Sequence, residues 1–153
     1  MIMPSMFFSD MSEDDLSAMI AYLQSLPPVD NSLPETAPGP MFYALLGAGP
    51  LMEGQSARVI DHEAPYPAAV AEGPTAEYGA YLARIAQCTA CHGPELAGGQ
   101  AARSAPIGPN LTPGGELGDW SEADFITLIR TGMEPSGKQI DPYMPWAYFS
   151  SMS

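Results

Sequence analysis

Basic residues are scarce in this 153-residue chain: Arg58, Arg84, Arg103, Arg130 and Lys138 stand against eighteen acids, giving a net charge of -13. A surface of that sign repels nucleic acid and anionic lipid, which removes both from the partners to consider. A long apolar run is also missing. The most apolar stretch, PMFYALLGAGPLM at 40–52, is too short and too rich in Gly and Pro to span a bilayer. The first residues, MIMPSMFFSDMSEDD, have no basic segment followed by an apolar core, so they do not read as an export signal. No strand-like alternation is convincing, which leaves a mainly helical, all-α fold. Cysteine and histidine each occur only twice, so metal or redox chemistry has few places to sit.

Proline and glycine are abundant instead, at seventeen and fifteen, about a fifth of the chain together. Unbroken helices throughout are therefore excluded, and long connections must exist. Ser12-Glu-Asp-Asp puts a hydroxyl cap and three acids ahead of Leu16, Met19, Ile20, Leu23 and Leu26, predicting an amphipathic helix over 13–26 that Pro27-Pro28 stops. The Pro-rich stretch 28–74 reads as an extended linker with one helical turn near 41–46. Thr75 caps a second helix through Tyr78, Leu82 and Ile85 that runs into Cys88. Ser121 opens a third, with Phe125, Leu128 and Ile129 on one face and Gly132 closing it. The remainder, 133–153, reads as loop.

Both cysteines fall in Cys88-Thr-Ala-Cys91-His92. A disulfide, a redox dithiol and half a zinc site are the ordinary readings of such a pair. A dithiol centre needs a βαβ surround, which is absent, and zinc needs four ligands when the only other histidine is His62 in the linker. C-x-x-C-H at the end of a helix matches covalent attachment of one c-type haem, with two thiols adding across the vinyl groups and His92 placed under the iron. For the sixth iron position Met144 is the candidate. It lies beyond a complete helix, in a Pro-flanked loop able to cross the far haem face. Met133, just past a helix end, is the runner-up, and Met152 reads as packing.

The segments TAEYGAYLARIAQ, CTACHG, IGPNLT, SEADFITLIRTG and YMPW together resemble the class I cytochrome c family over about half of the chain. The resemblance implies a cytochrome c fold around haem c, with Pro109 offering its carbonyl to Nδ1-H of His92. Such a bond orients the imidazole and raises its basicity, and Pro109 suits it because φ is fixed and no N–H competes. Trp120, Arg103 and Arg130 are candidate propionate partners with ordinary surface or core roles as alternatives.

One phrase occurs twice. MPSMFFSDMS at 3–12 and MPWAYFSSMS at 144–153 agree at six of ten positions, 141 residues apart. A cytochrome c domain has a closing helix after its Met loop, and helix 13–26 follows the first copy of that loop. Residues 1–27 therefore read as the ligand-loop remnant and last helix of a preceding repeat, and 75–153 as a cytochrome c domain lacking its final helix. The expectation is a segment of a tandem multihaem cytochrome. Docking of helix 13–26 back onto 75–153, or onto another copy, would bury Leu16, Ile20 and Leu23 against Tyr78, Leu82 and Ile85, with Gly79 allowing close approach and Tyr22 beside it.

These readings imply electron transfer by His/Met-ligated haem c rather than an enzyme, with a basic redox protein docking on the acidic surface. Assembly of haem c places the protein in the periplasm or otherwise outside the cytoplasm. The alternatives are a haem enzyme or gas sensor with an open sixth position, and an electron-relay subunit of a dehydrogenase or oxidase complex.

Overall fold

The computed structural model describes residues 5–35, 37–48, 60–99 and 106–152. Met3, Pro4, Arg58 and Arg103 lie outside the described residues. The chain divides into two compact units, Met1–Gln87 and Cys88–Ser153.

In the first unit, the acid-led pattern after Ser12 gives helix α2, Glu13–Ser25, and the Ser12 hydroxyl accepts the Asp15 N–H at 3.2 Å. Ahead of it stands a one-turn helix, α1, Ser5–Phe8. Helix α3, Pro40–Gly47, is longer than the single turn expected near 41–46, because Pro40 sits at its start, where no N–H is required. Thr75 caps α4, Ala76–Ile85, with its hydroxyl accepting the Tyr78 N–H at 3.2 Å. Gln87 then adopts a left-handed φ of 65°. That residue separates α4 from the cysteines, which the sequence pattern had placed on one continuous helix.

Helix α1 lies against α4, and the link is closed by polar atoms at the start of α2. The Tyr81 hydroxyl donates to the Asp15 carboxylate and accepts the Ser12 N–H at 3.1 Å, while the Ser12 hydroxyl donates to the same carboxylate at 3.0 Å. Ser12 and Tyr81 are each only 2% exposed. Within this chain the apolar stripe is covered only at its start: Leu16 is half-buried, Ile20 and Leu23 are 45% and 57% exposed, and a Cβ at Gly79 would meet nothing within 4 Å. Tyr22 is exposed as well. The contact is made by the cap, because the hydroxyl and carboxylate there complement a phenol that must keep hydrogen-bond partners when buried.

The second unit begins with α5, Cys88–His92. A 3-10 turn at Glu116–Asp119 precedes α6, Glu122–Thr131, which ends on Gly132 at φ 71°. Pro145 then leads into α7, Trp146–Phe149, which packs on α6. The tail from 133 is thus not all loop. Helices α1 and α7 occupy the same four positions of the repeated phrase, 141 residues apart. No extended strand is present among the described residues, only isolated bridges at Gly99–Gly108 and Met133–Gln139.

A reciprocal cap opens α6. Asp124 accepts from the Ser121 hydroxyl at 2.6 Å and the Ser121 N–H at 2.9 Å, and these bonds lower its pKa. A folded pKa held below the unfolded value contributes stability that is present above about pH 3.9 and lost as pH falls through the folded pKa. In a carboxyl-carbon NMR titration, Ser121→Ala is expected to raise the Asp124 midpoint part of the way towards the ordinary range, because the hydroxyl bond is lost while the backbone N–H bond stays. An unmoved midpoint would assign the shift elsewhere.

Candidate haem-binding site

Helix α5 carries Cys88, Cys91 and His92 in little more than one turn, and both thiols are free and half-buried. A short helix leaves carbonyls at its C-terminal end without intrahelical partners. Two glycines supply the missing donors: Gly108 N–H reaches the Cys91 carbonyl at 2.7 Å and Gly98 N–H the His92 carbonyl at 3.0 Å. The same loops are tied together by Gly99 and Gly108 and by the Leu111 N–H on the Leu96 carbonyl at 2.8 Å. Asn110 Oδ1 accepts from the Thr112 N–H and hydroxyl at 2.8 and 2.7 Å, fixing the turn that follows.

His92 is 8% exposed, and its Nδ1 lies 2.9 Å from the Pro109 carbonyl oxygen. A carbonyl only accepts, so Nδ1 carries the proton and Nε2 keeps its lone pair. Gly108 is a residue whose part the sequence pattern did not disclose. A Cβ there would stand 2.6 Å from His92 Nδ1 and 2.8 Å from the Cys91 carbonyl, so only glycine lets the loop lie on the imidazole. The glycines at 93, 98, 99 and 108 were the available signal.

Burial, and secondarily Cys91 alongside, raises the pKa of the Cys88 thiol. Redox dithiols of the C-x-x-C kind have a lowered thiol pKa, so the shift opposes that reading. Zinc is not supported either, since among the described residues no group of three or more His, Cys, Asp or Glu side chains is arranged to hold a metal ion.

Met144 is half-buried in the turn before α7, its N–H on the Asp141 carbonyl at 2.9 Å and its carbonyl accepting the Trp146 N–H at 2.8 Å. Met133 pairs with Gln139 in the bridge, and Met152 is 47% exposed. His62 lies exposed in a turn of the first unit. Trp120 is half-buried, and Arg130 donates to the Ser150 carbonyl at 3.4 Å.

Adjacent thiols, an imidazole held at Nδ1 by Pro109 and a loop seated on that imidazole make a donor set suited to haem c. The family model described as "Cytochrome C oxidase, cbb3-type, subunit III" matches residues 74–147, and this chain carries a c-type cytochrome domain, the kind that binds haem c covalently. It is similar to the "Alcohol dehydrogenase (quinone), cytochrome c subunit" of Gluconacetobacter polyoxogenes, 36% identical over 93 residues, covering 54% of this chain and 20% of that protein. The "Fructose dehydrogenase cytochrome subunit" of Gluconobacter japonicus is 34% identical over 114 residues, covering 67% and 23%. The "Gluconate 2-dehydrogenase cytochrome c subunit" of Pantoea cypripedii is 36% identical over 85 residues, covering 49% and 19%. The chain spans about a fifth of the length of these curated relatives. No solved structure matches.

Proposed function

We propose that this chain is an electron-transfer module that relays electrons within a dehydrogenase complex and does not itself act on the substrate. The observation that carries the reading is the His92 Nδ1–Pro109 bond on a helix turn that also presents two free thiols. Cys88 and Cys91 would hold haem c covalently through their thiols. His92 would bind the iron through Nε2, with Pro109 holding the ring and Gly108 giving the loop room to do so. Met144, in the turn before α7, would be the second residue to hold the iron. Haem c, when bound, supplies a one-electron iron centre whose potential a neutral thioether raises.

The relay role is favoured over a free carrier by the relatives, which are named as cytochrome subunits of alcohol, fructose and gluconate dehydrogenases. The net charge of -13 favours a basic docking surface on the redox partner. No helix among the described residues is long and apolar enough to cross a membrane. Haem c attachment outside the cytoplasm supports a periplasmic location. The twofold phrase supports the tandem reading: 1–27 as the end of a preceding haem repeat, 28–74 as linker, and 75–153 as a single-haem domain.

The test has two arms. The Cys88→Ala/Cys91→Ala variant is expected to lose all haem on a denaturing gel stained for haem, and retention would overturn covalent attachment. Met144→Ala is expected to lose the weak sulfur–iron absorption and to gain carbon monoxide binding when reduced. Carbon monoxide binding by the unaltered reduced protein would instead establish an open sixth position.

A further inference from the structure

Gly132, at the end of α6, is one place where the segment carrying Met144 is fastened to that helix. Gly132 is buried at φ 71°, and its N–H closes α6 on the Leu128 carbonyl at 2.7 Å. Its own carbonyl accepts the Ile140 N–H at 2.9 Å, which turns the chain back towards α6. The indole of Trp146 lies directly over the Cα. A Cβ on Gly132 would come 2.5 Å from Cε2 and 2.8 Å from Nε1 of that ring. Left-handed backbone and ring contact therefore demand glycine independently.

Trp146 is two residues from Met144, and its N–H holds the Met144 carbonyl at 2.8 Å. The Met144 N–H is bound to Asp141, so the methionine backbone is fastened on both sides. The same indole borders a shallow cleft of about 300 Å³ with Gln139, Ile140, Asp141 and Pro142, which leaves room for the ring to move if its seat on Gly132 is lost. A thioether is a soft, neutral ligand on a flexible side chain. How firmly it stays on iron depends on how firmly its backbone is held, because supporting contacts determine whether a site keeps its geometry.

We infer that the Gly132–Trp146 contact is the positioning device that keeps Met144 in place for axial ligation, and so sets how readily an external ligand displaces it. The inference rests on the assignment of Met144 to the iron. Gly132 and Trp146 touch no reacting atom and act only through the turn.

The experiment uses the ferric holoprotein with Trp146→Leu, Trp146→Phe, Gly132→Ala and, as reference, Met144→Ala. The sulfur–iron absorption and the affinity for added imidazole are measured on each. Met144→Ala is expected to abolish the absorption. Trp146→Leu and Gly132→Ala are expected to retain haem, lose part of the absorption and bind imidazole about tenfold more tightly, since the binding-competent, methionine-detached state becomes more populated. Trp146→Phe falls between these variants and the unaltered protein. If Trp146→Leu keeps full absorption and ordinary imidazole affinity while Met144→Ala loses the band, the positioning role is overturned and the ligand assignment stands. If Met144→Ala keeps the band, the ligand assignment fails and takes the positioning role with it. Should Gly132→Ala fail to assemble, Trp146→Leu decides the question alone.

Discussion

Gly108→Val is expected to cut the yield of haem-bearing protein sharply, although position 108 contributes no side chain to any ligand set. Gly108 does not hold a left-handed φ, so spacing rather than conformational freedom makes glycine necessary. The first carbon of any side chain would stand 2.6 Å from His92 Nδ1 and 2.9 Å from Cε1, with the Cys91 carbonyl at 2.8 Å on another side. None of these atoms is the loose end of a surface side chain. The imidazole must rotate or the loop must lift, and either movement breaks the Nδ1–Pro109 bond and the Gly108 N–H bond to Cys91. Overpacking of this kind costs about 1–3 kcal/mol, roughly 5- to 150-fold in a population. Haem-stained denaturing gels would measure attachment, and the reduction potential of any holoprotein would report the freed imidazole. Gly79→Ala is the matched control: a Cβ there meets nothing within 4 Å on a helix, where alanine is favoured. Equal yields from the two variants would mean that the loop does not press on His92.

What could be read from the sequence was whatever is decided within a few residues. The Ser12, Thr75 and Ser121 caps were legible because a hydroxyl serves the N–H three residues on, and the Gly132 terminus because a left-handed cap wants glycine. The grouping of Cys88, Cys91 and His92 on one short helix was legible because their spacing is itself local. The break at Gln87 was not, since its left-handed φ breaks with the residue's ordinary preference. Helix α7 was hidden in an aromatic run after Pro145 that has too few residues to show a period. Its first residue, Trp146, packs on Gly132, fourteen residues earlier in the chain. The contact that the start of α2 makes was hidden for a related reason. Apolar periodicity shows which face a helix can bury but not whether a partner comes to it, and here Ser12 and Asp15 made the contact in place of Ile20 and Leu23. Pairings 66 and 69 residues apart leave no local trace.

That pairing carries the last expectation. Tyr81 is the most buried aromatic among the described residues, and its hydroxyl joins α4 to the start of α2 through Asp15 and Ser12. Tyr81→Ala removes both the ring and the link, and an aromatic truncation in a core costs about 3–5 kcal/mol. Tyr81→Phe keeps the ring but leaves the buried Ser12 N–H without its acceptor, a cost of about 1–3 kcal/mol. The two variants therefore separate packing from the polar link. Denaturant unfolding followed by circular dichroism gives the stabilities, and amide exchange at Ser12 and Leu16 shows whether the start of α2 is released. If α2 is held by its cap, Tyr81→Phe accelerates exchange at Ser12 while Ile20→Ala, on the exposed face, does not. If Ile20→Ala is the more damaging of the two, the apolar face rather than the cap holds the helix, as the sequence pattern alone predicts.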